Sequence, residues 1–309
     1  MKSSQRKLAP MSALLFASAV LLSAVTASAQ TSNVAASYDP SGAIEVQTGD
    51  GPTGVASDGA NVWVTSQFGG SVVKISPTGT VLGRFTVGKN PTGIASNGTH
   101  VWVANNADDT VTKLALDGTV LGTYAVGKGP QAILLAGNNV VVANEKGNTV
   151  TKLSATGAVL GTYTVGKRPV ALASEGDNLW VANNKDNTVT KLSATGAVLG
   201  TYAVGDGPSG LAFDGTNVWV TNFFSRNVMK LNPATGAVVG TVTVGDGPAG
   251  IALNGSDILV VNNGDNSVSV MSGGSVHTTL KVGISPYSVA VTPNGLWVTN
   301  SGSDSVSKR

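Results

Sequence analysis

A Gly-x-x-Pro turn returns seven times along this chain, ending at Pro52, Pro91, Pro130, Pro169, Pro208, Pro248 and Pro286. The steps are 39, 39, 39, 39, 40 and 38 residues. A period of this size marks repeated supersecondary units. Each is too small to bury its own hydrophobic faces, so neighbours must stack to build a core.

The unit that opens at Pro169 shows the pattern. Pro169-Val-Ala-Leu-Ala-Ser174, Leu179-Trp180-Val181-Ala182, Thr188-Val189-Thr190-Lys191-Leu192 and Ala197 to Val204 are short apolar or β-branched runs. Between them lie Gly/Asn/Asp turns. Runs of this length bounded by such turns read as four strands, A to D. No helical period persists over three turns in the chain after its first residues. The fourteen residues Val150 to Tyr163 recur unchanged at Val189 to Tyr202.

The columns of the repeat predict how the units meet. All five tryptophans, Trp63, Trp102, Trp180, Trp219 and Trp297, take one strand-B position, with Val141 and Leu259 in the other two units. A column of large rings reads as packing between units, not as a cofactor box. Lys74, Lys113, Lys152, Lys191 and Lys230 recur in strand C, read as packed stems with heads in water. The fold expected is an all-β, seven-bladed β-propeller of four-stranded antiparallel blades. The seventh unit stops after its strand C, while Gly42 to Gly49 matches a strand D such as Gly157 to Tyr163. An N-terminal strand should therefore complete the C-terminal blade and close the ring, hiding two edges that would otherwise lie open.

Residues 1–29 read as a signal peptide. Lys2, Arg6 and Lys7 precede the apolar Met11 to Val25, and Ala27-Ser28-Ala29 is a cleavage site of small residues. Residues 30–309 then form a single propeller domain, periplasmic or secreted, with no membrane anchor after cleavage. Losing three positive charges takes the formal net charge from +2 to −1. That removes any demand for an anionic partner from net charge alone. The chain has no cysteine, which excludes disulfides and thiolate metal sites.

The segments Val101-Trp102-Val103-Ala104-Asn105-Asn106 and Leu179-Trp180-Val181-Ala182-Asn183-Asn184 are each followed by Thr-Val-Thr-Lys-Leu and Gly-x-Val-Leu-Gly. With the preceding Gly-x-x-Pro, this resembles the YVTN-type, YncE-like propellers. It is also similar to the streptogramin (virginiamycin B) lyase propellers. The Trp-Asp signature of WD40 repeats is absent. The lyase resemblance implies histidine and glutamate near the central axis with a magnesium ion, and an acid just after strand B. Here those positions hold Ser66, Asn105, Asn144, Asn183, Asn222, Asn262 and Asn300. The residues after the prolines are Thr53, Thr92, Gln131, Val170, Ser209, Ala249 and Tyr287. None is a usable acid, base or strong metal ligand. No catalytic residue, metal or cofactor is expected.

The two histidines support no triad. His100 falls in an A–B turn and His277 in an outer strand, in different blades. Asp50, Asp206 and Asp246 share one D–A turn position, read as solvated turn residues. Lys89, Lys128 and Lys167, with Arg168 beside the last, hold that position in blades two to four. A charged rim of this kind could orient a ligand. Blade five breaks the Asn-rich B–C loop with Phe223-Phe224-Ser225-Arg226, blade one carries Phe68 there, and Tyr287 follows the last proline. Loop residues that break a repeat point to binding.

The expected function is therefore non-catalytic binding of a small molecule, glycan or envelope protein by a monomer. The expected contacts are Phe68, Phe223, Phe224, Arg226 and Tyr287, with the rim Lys89, Lys128, Lys167 and Arg168, all on the D–A/B–C loop face. The alternatives are a lyase-like, metal-dependent C–O lyase, a nucleic-acid or polyanion binder, and a purely structural envelope protein.

Overall fold

The structure is a computed structural model and describes residues 43–309. The expected signal peptide, 1–29, lies outside the described residues. Twenty-eight strands, β1 to β28 in chain order, form seven four-stranded sheets. Each inner strand A starts at a repeat proline: β2 (Pro52–Ser57), β6 (Pro91–Ser96), β10 (Pro130–Ala136), β14 (Pro169–Glu175), β18 (Pro208–Phe213), β22 (Pro248–Asn254) and β26 (Pro286–Thr292). A strand's first residue is where proline's missing N–H does least harm.

Ring closure follows the sequence reading. Strand β1 (Ile44–Gln47) pairs antiparallel with β28 (Ser305–Lys308), Ile44 opposite Lys308 and Gln47 opposite Ser305. The last blade therefore joins the two ends of the described chain.

The core is a ring of seven layers, one between each pair of neighbouring blades. Each tryptophan is buried at such an interface. Trp63 tilts against Phe85, Trp102 against Tyr124 and Trp180 against Tyr202, with ring centroids 5.5 to 5.7 Å apart. The strand-C lysines depart from expectation, because their heads are engaged. Lys74, Lys113, Lys191 and Lys230 place Nζ 5.1 to 5.3 Å from a tryptophan centroid. Lys74, Lys113, Lys152 and Lys191 also donate to a C–D turn carbonyl of the next blade, at 2.7 to 3.0 Å. The lysine column thus cross-ties blades as well as covering rings.

The Gly-x-x-Pro glycine has a packing reason. A Cβ on Gly166 would lie 2.6 Å from Cγ of Asn183, the buried residue that ends strand B. Asn183 is fixed there by donating from Nδ2 to Oγ1 of Thr188 and Thr190, at 3.1 and 2.8 Å. Gly166→Ala is expected to cost ~1–3 kcal/mol, the usual penalty for overpacking. A urea melt checks this, and an unchanged midpoint would contradict it.

Candidate binding face and axial site

The D–A turns and B–C loops share one end of the ring and are clipped together. In blade three, Glu145 N donates to Gly129 O at 2.8 Å and Lys146 N to Lys128 O at 3.1 Å. In blade five, Phe223 N donates to Gly207 O at 2.9 Å and Phe224 N to Asp206 O at 3.1 Å. The same two-bond clip recurs in every blade. Neighbouring blades are tied as well, by side chains that end the B–C loops. Asn148 Oδ1 accepts from Arg168 N, Asn187 Oδ1 from Gly207 N and Asp304 Oδ1 from Gly51 N, at 2.8 to 2.9 Å. This face is preorganised, which lowers the ordering cost of binding.

The expected contacts all fall on this end, but not in one cluster. Phe68 and Phe224 are exposed, at 74% and 59%. Phe223 is half-buried and meets Phe224 edge to face, with centroids 5.2 Å apart. Blades six and seven separate this pair from Phe68. Arg226 is already engaged, its Nε lying 2.9 Å from Asp246 Oδ1. Lys89, Lys128 and Lys167 are exposed on the rim.

Tyr287 corrects the sequence reading. It is not a loop-tip aromatic but a buried residue, 6% exposed, in strand A of blade seven. The cause is a register shift just after the proline, present in all seven A–B pairs. A bulge of this kind re-aims the side chains that follow it. Thr53, Thr92, Gln131, Val170, Ser209, Ala249 and Tyr287 are all buried at the start of the inner strands. Thr92 Oγ1 donates to Pro130 O at 3.1 Å and Ser209 Oγ to Pro248 O at 2.7 Å, linking successive blades.

Above this ring the structure assembles an ion pair that the Asn column hides. One residue beyond that column stand Gln67, Asn106, Glu145, Asn184, Phe223, Asn263 and Ser301. Glu145 Oε1 lies 2.7 Å from Arg168 Nε, and the carboxylate is largely buried, at 13% side-chain exposure. Both reach Tyr287 electrostatically from the far side of the ring. Burial pushes the Tyr287 phenol well above its usual range, Glu145 adds to that, and Arg168 opposes it. The phenol therefore stays protonated and remains a donor. Nearby, Asn106 Nδ2 donates to Gln131 Oε1 and Lys146 Nζ to Asn106 Oδ1, each at 3.1 Å. Gln131 Nε2 and Gln67 Nε2 are buried with no hydrogen-bond partner. Unsatisfied buried donors are costly and few in native structures.

Arg168 also sits in an unusual backbone state, with φ +59°. The same turn position holds Gly51, Asn90, Gly129, Gly207, Gly247 and Ser285 in the other blades. A long side chain in the left-handed region costs ~1–2 kcal/mol.

The magnesium ion of the lyase resemblance can be tested against these residues. Among the described residues no group of three or more His, Asp or Glu side chains could hold a metal. Glu145 is committed to Arg168. His100 opens strand B of blade two, where it contacts Thr99, and His277 lies 3.7 Å from Asp257 in blade six. The residues present do not fit that ion.

No protein-family model matches this sequence, and no curated protein matches it. Solved structures do. Virginiamycin B lyase from Staphylococcus aureus superposes with a TM-score of 0.77 at 17% identity, over 86% of this chain and 97% of that one. A catalytically inactive histidine-to-alanine variant of that lyase, solved with quinupristin, matches at the same score and identity, over 98% of its own length. Hydrazine synthase from Kuenenia stuttgartiensis matches with a TM-score of 0.74 at 17% identity, over 83% and 94%. The WD40 domain of Doa1 matches at 0.76 and 17%, over 85% and 94%. At these identities the likeness establishes architecture: this chain is a seven-bladed β-propeller of the fold found in the streptogramin B lyases.

Proposed function

We propose that this chain is a non-catalytic binding module whose ligand docks on the D–A/B–C face over the axial Glu145–Arg168 pair. One observation carries the reading. Arg168 occupies a strained backbone position that the repeat otherwise gives to small or turn-forming residues, and there it meets a largely buried carboxylate. Strain of this kind gathers at functional sites. The unpaired Nε2 groups of Gln67 and Gln131 and the Tyr287 phenol would donate to a ligand carrying carbonyl or hydroxyl groups. That chemistry suits a glycan, a polar small molecule or an exposed peptide. The rim Lys89, Lys128 and Lys167, widened by the exposed Lys146 and Lys185, would draw in an acidic ligand.

The test is a thermal-shift screen of the 30–309 protein against oligosaccharides, peptides, streptogramin lactones and a sulfated polyanion. It is run beside Arg168→Asn. Asparagine already serves this turn position as Asn90, at φ +55°, so the variant keeps the turn and loses the guanidinium. A compound that binds the native state raises the melting temperature by mass action. The expected result is a shift that Arg168→Asn weakens at least tenfold in ligand concentration. Equal shifts in both proteins would move the site off the axis. A polyanion shift that vanishes in salt would mean backbone-charge recognition by the lysine arc.

A further inference from the structure

On the opposite end of the ring, blade three lacks two parts that other blades carry together. Its strand-B tryptophan is replaced by Val141. The residue six beyond its proline is Ala136, where blades one, four and five place Asp58, Glu175 and Asp214. In those blades the carboxylate accepts from the indole Nε1, at 2.8, 2.8 and 2.6 Å. The rest of the tryptophan's surroundings persists in blade three. Tyr163 stands where Phe85, Tyr124 and Tyr202 meet an indole, and it packs on Gly196 of the next blade. Lys152 keeps its tie to the Ala194 carbonyl at 3.0 Å, the cross-blade tie that Lys113 makes beside Trp102.

The consequence is a cavity of about 170 Å³ between blades three and four, walled by Val141, Val150, Leu179, Leu192, Tyr163 and Lys152. The same crevice between blades two and three, where Trp102 is present, holds about 50 Å³. Between blades seven and one, beside Trp297, it holds about 10 Å³. For scale, an apolar protein cavity of about 150 Å³ takes up benzene.

We propose that this slot binds a small molecule that carries a flat, neutral aryl group of indole size. The repeat itself specifies the occupant. In blades one, two and four the ring in this position is an indole, tilted against an aromatic residue and covered by a lysine. In blade three the aromatic wall and the lysine remain, and Lys152 would lie over the π face of an incoming ring. Ala136 supplies no acceptor, so a ring N–H is not required. This site is on the face away from Arg168, and its occupant needs none of the axial donors.

The experiment is calorimetric titration of the 30–309 protein with indole and 1-methylindole, beside Val141→Trp. The expected result is one saturable site that accepts both compounds alike. Val141→Trp should bind at least tenfold more weakly and melt at a higher temperature, because it restores the ring of the other blades. Val141→Leu, the size of side chain that blade six carries as Leu259, serves if the tryptophan variant does not fold, with binding weakened at least threefold. Arg168→Asn should bind indole as the parent does. No saturable binding up to the solubility limit of indole would overturn the proposal, as would undiminished binding by the Val141 variant or loss of binding in Arg168→Asn.

Discussion

A protein lacking residues 30–49 is expected to lose its cooperative melt and to aggregate. The missing segment includes β1, which among the described residues is the strand that covers the outer edge of β28. Its removal strips the ladder hydrogen bonds of that pair, each worth ~0.5–1.5 kcal/mol. It also removes Val46, 6% exposed, from the layer that holds Trp297 against Val62 and Ile75. Burying such a side chain contributes ~1.5–3 kcal/mol. Glu45 goes too. Its carboxylate accepts from Ser305, Ser307 and Arg309, the last at 2.8 Å, and so gathers the C-terminal strand. These losses together approach the ~5–15 kcal/mol that separates a folded domain from its unfolded chain. The exposed edge would then offer unpaired donors and acceptors to a second molecule. Calorimetry with light scattering reads both effects. A monomeric deletion variant with an unchanged melt would overturn the role given to β1 in closing the ring.

The features that repeat were legible in the sequence, because repetition shows which positions share an environment. The prolines located the inner strands, the tryptophan column located the layers between blades, and the incomplete seventh unit located closure. The single-copy features were less visible, since their meaning depends on neighbours from other blades. Tyr287 reads as a turn aromatic until the register shift after Pro286 places it in the axial ring. Glu145 stands one residue beyond the Asn column, and its partner Arg168 comes from the following D–A turn. Arg226 reads as a free contact until its backbone, at φ +52°, sets it beside Asp246. Val141 is conspicuous in its column, yet the cavity beside it, which Ala136 also lines, shows only once blade four is packed against blade three.

Trp180→Ala is expected to lower stability by ~3–5 kcal/mol, the cost of deleting a buried aromatic side chain. Trp180 is fully buried, and its ring lies 5.3 Å from Lys191 Nζ and 5.5 Å from the Tyr202 ring. The loss should be a packing loss, not an electrostatic one. Glu175 gives up the indole donor at 2.8 Å but keeps Lys191 at 2.7 Å, so no buried carboxylate is left unpaired. In a domain of this size each kcal/mol moves the midpoint by ~2–4 °C. A drop of roughly 6–20 °C is therefore expected in a thermal melt. A midpoint within a degree of the parent would mean that the tryptophan column does not hold the blades together. The variant also separates shape from hydrogen bonding. Its new cavity retains the Glu175 acceptor that blade three lacks, so indole should restore more of the lost midpoint than 1-methylindole does. The slot of blade three, with Ala136 in that place, should take the two alike. A preference for indole at one cavity and none at the other, both built on one repeat, would trace selectivity to the single residue that follows each proline by six.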